Sequence, residues 1–344
     1  MNTFFCNTNL HGQDGEWPVV YGQAVSAYYA ADYEEALKYS LEALENAKEN
    51  FTPDHAWFYL SHQMLGVLHL HCAEFDQAES YLNYCFELSE NSAEPHTYAD
   101  VSWNNIGILH QQRGEFLEAE PYLLKSLELH EQAASPNYSR IARTLNLLGT
   151  LYTDMGRDSE AQAYYERSIA MWDNEAANYG IERARGAAGL AKYFIDKQEF
   201  DAITQRLEGA IDEIVAAYGR RNATVAANRA ALGKVLLAQE NYEAAEEYIL
   251  EALDIRQQIF KNPHPSVASS LIDLGKLRLA SEQYTEAEAA FAESVDILKQ
   301  VCGERHPDLI PGYEGLAQVF AATDRLEESN QHQRMAQKLK LMIR

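Results

Sequence analysis

"HPSVASSLIDLGKLRLASEQYTEAEAAFAESVDILKQVCGERHPD", running from His264 to Asp308, decides the fold. It predicts two helices joined by a turn. Gly275 lies on the first helix, and Ala287 follows twelve residues later on the second. Pro265 and Pro307 open successive units, and proline suits a helix start because its missing N–H would be unpaired there. Lys276 directly follows Gly275, next to residues whose pattern predicts burial.

The same phrase recurs along the whole chain. The second-helix marker falls at Ala36, Ala78, Ala119, Ala161, Ile203, Ala245, Ala287 and Ser329, in steps of 42 residues with a single step of 41. Twelve residues before each stands Ala24, Gly66, Gly107, Gly149, Ala191, Gly233, Gly275 or Ala317, all small. In "LNLLGTLY", Leu145, Leu148, Gly149 and Tyr152 form an i, i+3, i+4, i+7 stripe, the mark of an amphipathic helix. A Gly or Ala on that stripe lets the second helix approach closely. Gly114 and Gly156 fall at turns, where a left-handed residue ends a helix. One helix pair cannot bury both its apolar faces, whereas stacked pairs can.

These residues resemble a tetratricopeptide repeat of the kinesin-light-chain type, with helices longer than in the common 34-residue unit. The resemblance covers roughly residues 17–344. It implies an all-α, right-handed α-solenoid, or superhelix, of about eight helical hairpins. The expected units lie near 17–54, 55–96, 97–138, 139–181, 182–223, 224–265, 266–307 and 308–344, after an N-terminal extension over 1–16.

Composition bounds the function. The 344 residues are 47% hydrophobic, enough for a sizeable core, and the formal net charge is -24. Nucleic acid and anionic membrane are therefore poor partners. The charge is uneven: residues 1–100 hold sixteen acids and two bases, while 301–344 hold six of each. Cys6, Cys72, Cys85 and Cys302 form no CxxC and no disulfide framework, which fits a reducing compartment. The opening "MNTFFCNTNLHGQDGEWP" lacks the basic and apolar regions of a signal peptide, and no apolar run reaches the length of a membrane span. The expectation is a soluble, cytoplasmic protein.

Enzyme signatures do not occur: no phosphate-binding Gly-rich loop, no HExxH, no GxSxG and no kinase set. One cluster invites a metal reading. His62, His69, His71 and Cys72 share a predicted helix, and Cys85 lies on its partner. His69 and Cys72 are three apart, as helix-borne ligands can be. However, His69 takes the place that Tyr152 and Phe194 hold in other units, and a free cysteine commonly serves as a small buried hydrophobe. Packing is the reading adopted, so neither a catalytic residue, a metal nor a cofactor is expected.

The resemblance further implies that first helices line a concave face that binds an extended or helical peptide. With the small marker as position 8, the buried stripe uses positions 4, 7, 8 and 11. The stripe at 2, 5, 9 and 12 then points into the groove. Position 9 reads Val25, Val67, Ile108, Thr150, Lys192, Lys234, Lys276 and Gln318. Position 2 supplies Arg143 and Arg185, 42 residues apart. Asn104, Asn105 and Asn146 fall at positions 5, 6 and 5, where carboxamides can pair with both groups of a peptide bond. Tyr21, Tyr28 and Tyr29 fall at or beside groove positions at the other end.

The sequence thus points to a non-enzymatic protein–protein interaction scaffold or adaptor. The expected partner is a protein or peptide segment with acidic side chains or a free carboxylate, held by Asn104, Asn105, Arg143, Asn146, Arg185, Lys192, Lys234 and Lys276. The alternative is a regulatory receptor for a signalling peptide, or an effector-associated subunit that controls a partner enzyme. The short stretch ahead of the repeats weighs against a self-contained regulator. The basic, amphipathic "RMAQKLKLMIR", with Met335, Leu339 and Met342 on one face, is expected to cap the stack. A homo-oligomer formed through that helix is the second use weighed for it.

Overall fold

The computed structural model describes residues 16–53, 55–91, 99–133, 136–172, 186–260 and 263–342. The chain divides into two compact units, Met1–Glu182 and Arg183–Arg344. Among the described residues both are built from helices, without strands.

The first unit holds four hairpins: α1 (Glu16–Tyr29) with α2 (Tyr33–Asn50), α3 (Ala56–His71) with α4 (Phe75–Asn91), α5 (Ala99–Gln112) with α6 (Phe116–Gln132), and α7 (Tyr138–Asp154) with α8 (Asp158–Trp172). In the second unit a short 3-10 turn (Ala188–Leu190) leads into α9 (Ala191–Asp196), which pairs with α10 (Phe200–Tyr218). Then come α11 (Ala223–Ala238) with α12 (Tyr242–Ile259), α13 (Pro265–Ala280) with α14 (Tyr284–Cys302), and α15 (Leu309–Ala322) with α16 (Leu326–Lys340). Each second helix packs against the first helix of the next hairpin within its unit. First helices also touch one another, α1 with α3, α5 with α7, α11 with α13 and α13 with α15, and no pair of second helices does so comparably. First helices therefore form the inner row of each unit. The chain is an all-α solenoid of stacked hairpins, as the repeat implied.

The two sequence markers meet in space. A Cβ built on Gly66 would lie 2.5 Å from Leu82, on Gly107 2.7 Å from Leu123, on Gly149 2.5 Å from Tyr165 and on Gly233 2.5 Å from Ile249. Each of these partners stands four residues beyond the alanine marker of the same hairpin. The small residue on the first helix is thus the seat of a large side chain from the second, and close-packed interiors leave no slack there.

Every turn within a hairpin has the same form. Ala31, Ala73, Gly114, Gly156, Gln198, Glu240, Glu282 and Asp324 all have positive φ, between 55° and 74°. The following amide donates back five residues, for example Arg157 N to Tyr152 O at 2.8 Å and Asn241 N to Leu236 O at 2.9 Å. These are Schellman closures. Glycine at Gly114 and Gly156 was legible; the six other turns reach the same conformation without it.

Helix starts carry a device that the proline reading overlooked. His264 Nδ1 accepts from Ser266 N at 3.0 Å, His55 Nδ1 from Trp57 N at 3.2 Å, and His306 Nδ1 from Asp308 N at 3.2 Å. Asn137 and Asn222 accept from Arg140 N and Thr224 N in the equivalent role. Pro265 does begin α13, whereas Pro307 stands two residues ahead of α15. At the C-terminal end Leu339 is buried and Met335 packs beside it against the last hairpin, while Met342 points outward at 52% exposure. No helix among the described residues is long and apolar enough to cross a membrane.

Candidate functional site

The inner row of the first unit is more closed than the sequence pattern implied. Leu60, Gln63, Val67 and Leu70, the whole predicted groove stripe of α3, are buried. Tyr21, Tyr28 and Tyr29 are buried as well. The physical reason is aromatic packing: Tyr21 stacks on Trp17 at 4.5 Å, Trp17 on Trp57 at 4.7 Å, and the Tyr28 hydroxyl bonds His71 Nε2 at 2.6 Å. That end of the unit is core.

Polarity appears on α5 and α7. Asn104 is 7% exposed and Asn105 is 3% exposed. Asn104 Oδ1 and Asn105 Nδ2 are buried and have no hydrogen-bond partner. A buried amide atom left unpaired costs about 1–3 kcal/mol, so folded chains rarely tolerate one without reason. Both asparagines line one cleft together with Arg143. Asn146 is buried one turn further along α7.

A charged network underlies this cleft, and its members were not anticipated. Asp100 Oδ2 receives Arg140 Nη1 at 2.8 Å and lies 3.0 Å from His130 Nδ1. Burial pushes the Asp100 carboxyl up, but the His130 hydrogen bond and the Arg140 charge outweigh it and hold the group below the usual carboxylate range. Ser126 Oγ donates to Asp100 O at 2.9 Å, tying α6 to α5. Arg140 lies one turn before the periodic stripe, so the repeat register gave no signal for it. A signal did exist at position 3, which is polar and buried at Ser61, Ser102 and Thr144 in the first unit and at Asn228 and Ser270 in the second.

In the second unit Lys192, Lys234 and Lys276 lie exposed on α9, α11 and α13. Two of them have carboxylate partners. Lys192 Nζ donates to Asp196 at 2.6 Å, and Lys234 Nζ lies 3.3 Å from Asp273, whose side chain is only 4% exposed. Lys276 has no carboxylate partner among the described residues. Arg256, half-buried, donates to Ser266 O at 2.9 Å and Ser270 Oγ at 2.6 Å. Arg185 lies outside the described residues.

The histidine cluster packs as an aromatic set. His69 stacks on Tyr81 at 5.4 Å and bonds Glu74 at 2.6 Å. Burial, aided by Glu74, pushes the Cys72 thiol up to about 11, which disfavours the thiolate a metal needs. Among the described residues, no three His, Cys, Asp or Glu side chains are grouped to hold a metal ion.

Comparison with known proteins agrees with the architecture. The tetratricopeptide-repeat family model matches residues 98–174, 224–300 and 266–341, more than half the chain. No curated protein sequence matches. A Rap protein solved with competence and sporulation factor superposes with a TM-score of 0.63 at 13% identity, covering 95% of this chain and 98% of that one. The quorum sensor NprR with its peptide NprX gives 0.58 at 12% identity, covering 92% and 87%. The Cut9–Hcn1 assembly of the APC/C gives 0.63 at 13% identity, covering 96% of this chain and 54% of that chain. At such identities the likeness shows the fold. The chain belongs to the tetratricopeptide-repeat family.

Proposed function

We propose that this protein is a non-enzymatic interaction scaffold that holds a peptide segment of a partner along its first helices. The observation behind this reading is the unpartnered pair Asn104 Oδ1 and Asn105 Nδ2 on the inner row of the first unit. An acceptor and a donor from adjacent residues match the N–H and C=O of a peptide backbone. Arg143 beside them favours an acidic segment, because a guanidinium pairs with carboxylates through two donors. In the second unit, Lys276 offers an unpaired positive charge on the same class of helix, and Arg185, Lys192 and Lys234 complete the proposed basic set. The fold shared with NprR, solved with its cognate peptide NprX, and with a Rap protein, solved with competence and sporulation factor, supports a peptide as the ligand class. It also favours a second reading, a receptor whose occupancy is passed to a bound enzyme.

The test is selection of displayed random peptides on wild type and on an Asn104→Ala/Asn105→Ala variant. Enrichment of acidic peptides by wild type and their loss in the variant is expected. Equal enrichment by both would falsify the reading. A change in scattering radius on adding a selected peptide separates receptor from passive scaffold.

A further inference from the structure

The contact between α14 and α15 shows how one hairpin receives the next. A Cβ placed on Gly312 of α15 would lie 2.7 Å from Val295 of α14, and one placed on Gly315 would meet the ring of Phe291. The two helices therefore run antiparallel, with Val295 opposite Gly312 and Phe291 opposite Gly315. One repeat of 42 residues further on, Gln333 stands in the place of Phe291 and Gln337 in the place of Val295. Both are exposed. Together with Ala317, Gln318 and Ala321 of α15 they line an open cleft of about 740 Å³. Its walls are a first helix and a second helix, the same pair that α15 itself finds on α13 and α14.

The face that would fill this cleft is present on α1. Counted from the small markers Ala317 and Ala24, Gly312 and Gly315 correspond to Val19 and Gly22. Val19 is 63% exposed, and nothing lies within 4 Å of a Cβ placed on Gly22. Position 3, which Val19 holds, is buried in α3, α5, α7, α11 and α13. α1 thus has the positions that seat a first helix on a preceding hairpin, and they are uncovered.

Charge follows the same register. Leu298 of α14 and Leu309 at the start of α15 belong to one apolar cluster. Their counterparts are Lys340, which ends α16, and Glu16, which opens α1. Lys340 pairs with Glu314 at 2.6 Å, but both are half-exposed, and an ammonium has three donors to share. The surroundings agree in sign: residues 16–50 hold seven acids and two bases, while 331–344 hold four bases and no acid.

We propose that the cleft beside α15 and α16 of one copy receives α1 of a second copy, so that the chains associate head to tail. Gln333 and Gln337 then lie over Gly22 and Val19, and Lys340 meets Glu16. The contact is heterologous, because each copy offers one cleft and one α1. Amides in place of Phe291 and Val295 make it a polar, reversible contact. A polar outer face alone would keep the stack soluble; the exposed Val19 and Gly22 in matching register are what call for a second copy. The groove and its asparagines take no part.

Sedimentation equilibrium of the full chain at rising concentration is expected to give a mass above that of the monomer. Gly22→Arg and Gln333→Arg each put a large cation on one of the two faces, at positions exposed in the single copy. Each variant alone is expected to associate at least tenfold more weakly, with an unchanged circular dichroism melt. Mixing the two is expected to restore a one-to-one dimer, because the first keeps its cleft and the second keeps its α1. Wild type that stays monomeric leaves the cleft to a helix of another protein and overturns the proposal. Association that both variants leave intact, or a mixture that stays monomeric, overturns it as well.

Discussion

Gly275 lies against the ring of Phe291: a Cβ placed on the glycine would meet Cε1 at 2.7 Å and Cδ1 at 2.8 Å. Phe291 is fully buried and also abuts Gly315 of the next hairpin. One aromatic side chain thus bridges α13, α14 and α15, and it can do so only because two helices lack a side chain there. Gly275→Ala is expected to cost about 1–3 kcal/mol in denaturant unfolding, the usual penalty of overpacking. Gly209, in the body of α10, has open space at its Cβ. Gly209→Ala should instead stabilise by about 0.5–1 kcal/mol through helix propensity. Equal effects at the two sites would show that helix propensity, not contact, sets the requirement at position 275.

The turns allow the reverse experiment. Glu240 and Glu282 both have φ of 60°. A side chain in that region is strained, and glycine is not. Glu240→Gly is expected to raise the unfolding free energy by up to about 1 kcal/mol, although glycine loses more entropy on folding. Gly156→Ala, at φ 70°, should lower it by a similar amount. Calorimetric melting of both variants checks the opposite signs.

Acid should weaken the first unit through Asp100. Its folded pKa is depressed, so its contribution is present above the ordinary carboxylate range and is lost as pH falls through the folded value. Asp100→Asn is expected to destabilise by about 1–3 kcal/mol at neutral pH, and the difference should close once the pH falls below the folded value. Urea unfolding at a series of pH values measures the gap. A gap constant down to that pH would remove the carboxylate charge from the account.

The three lysines of the second unit should not behave alike. Lys234 neutralises the buried Asp273, and its removal leaves that charge to Arg256 alone. Lys234→Ala is expected to destabilise by more than 1 kcal/mol, whereas Lys276→Ala should stay within about 0.5 kcal/mol. Chemical denaturation of both proteins, with ligand affinity measured alongside, separates a structural lysine from one free to bind.

An unpaired buried amide predicts a trade of function against stability. Asn104→Leu removes the unsatisfied oxygen and keeps the branch at Cγ. The variant is expected to melt higher than wild type and to lose peptide binding. A variant less stable than wild type would mean that the amide already has a partner in solution.

The repeat itself fixed much. The 42-residue period marks Gly275 and Gly149 as points of close helix approach without any structure, because a small residue at constant spacing has few other uses in stacked helices; that Phe291 and Tyr165 are the side chains seated there came from the structure. The family resemblance also put Asn104, Asn105, Arg143 and Asn146 on inward helices. It could not tell how open that face is. Trp17, Trp57 and Tyr21 close the first end by stacking, and no spacing rule weighs ring contacts between hairpins.

The architecture and the family were therefore determined by the sequence, since both follow from a pattern repeated eight times, where any one ambiguous unit is outvoted by the rest. Tertiary structure decided the state of each polar group. Lys234 became paired because Asp273 arrives from the next first helix, and Asn104 and Asn105 were left unpaired because no neighbour does. Arg140 entered the cleft from outside the periodic stripe, held by an aspartate forty residues away. Such partnerships depend on side-chain positions across hairpins, which a period along the chain does not encode.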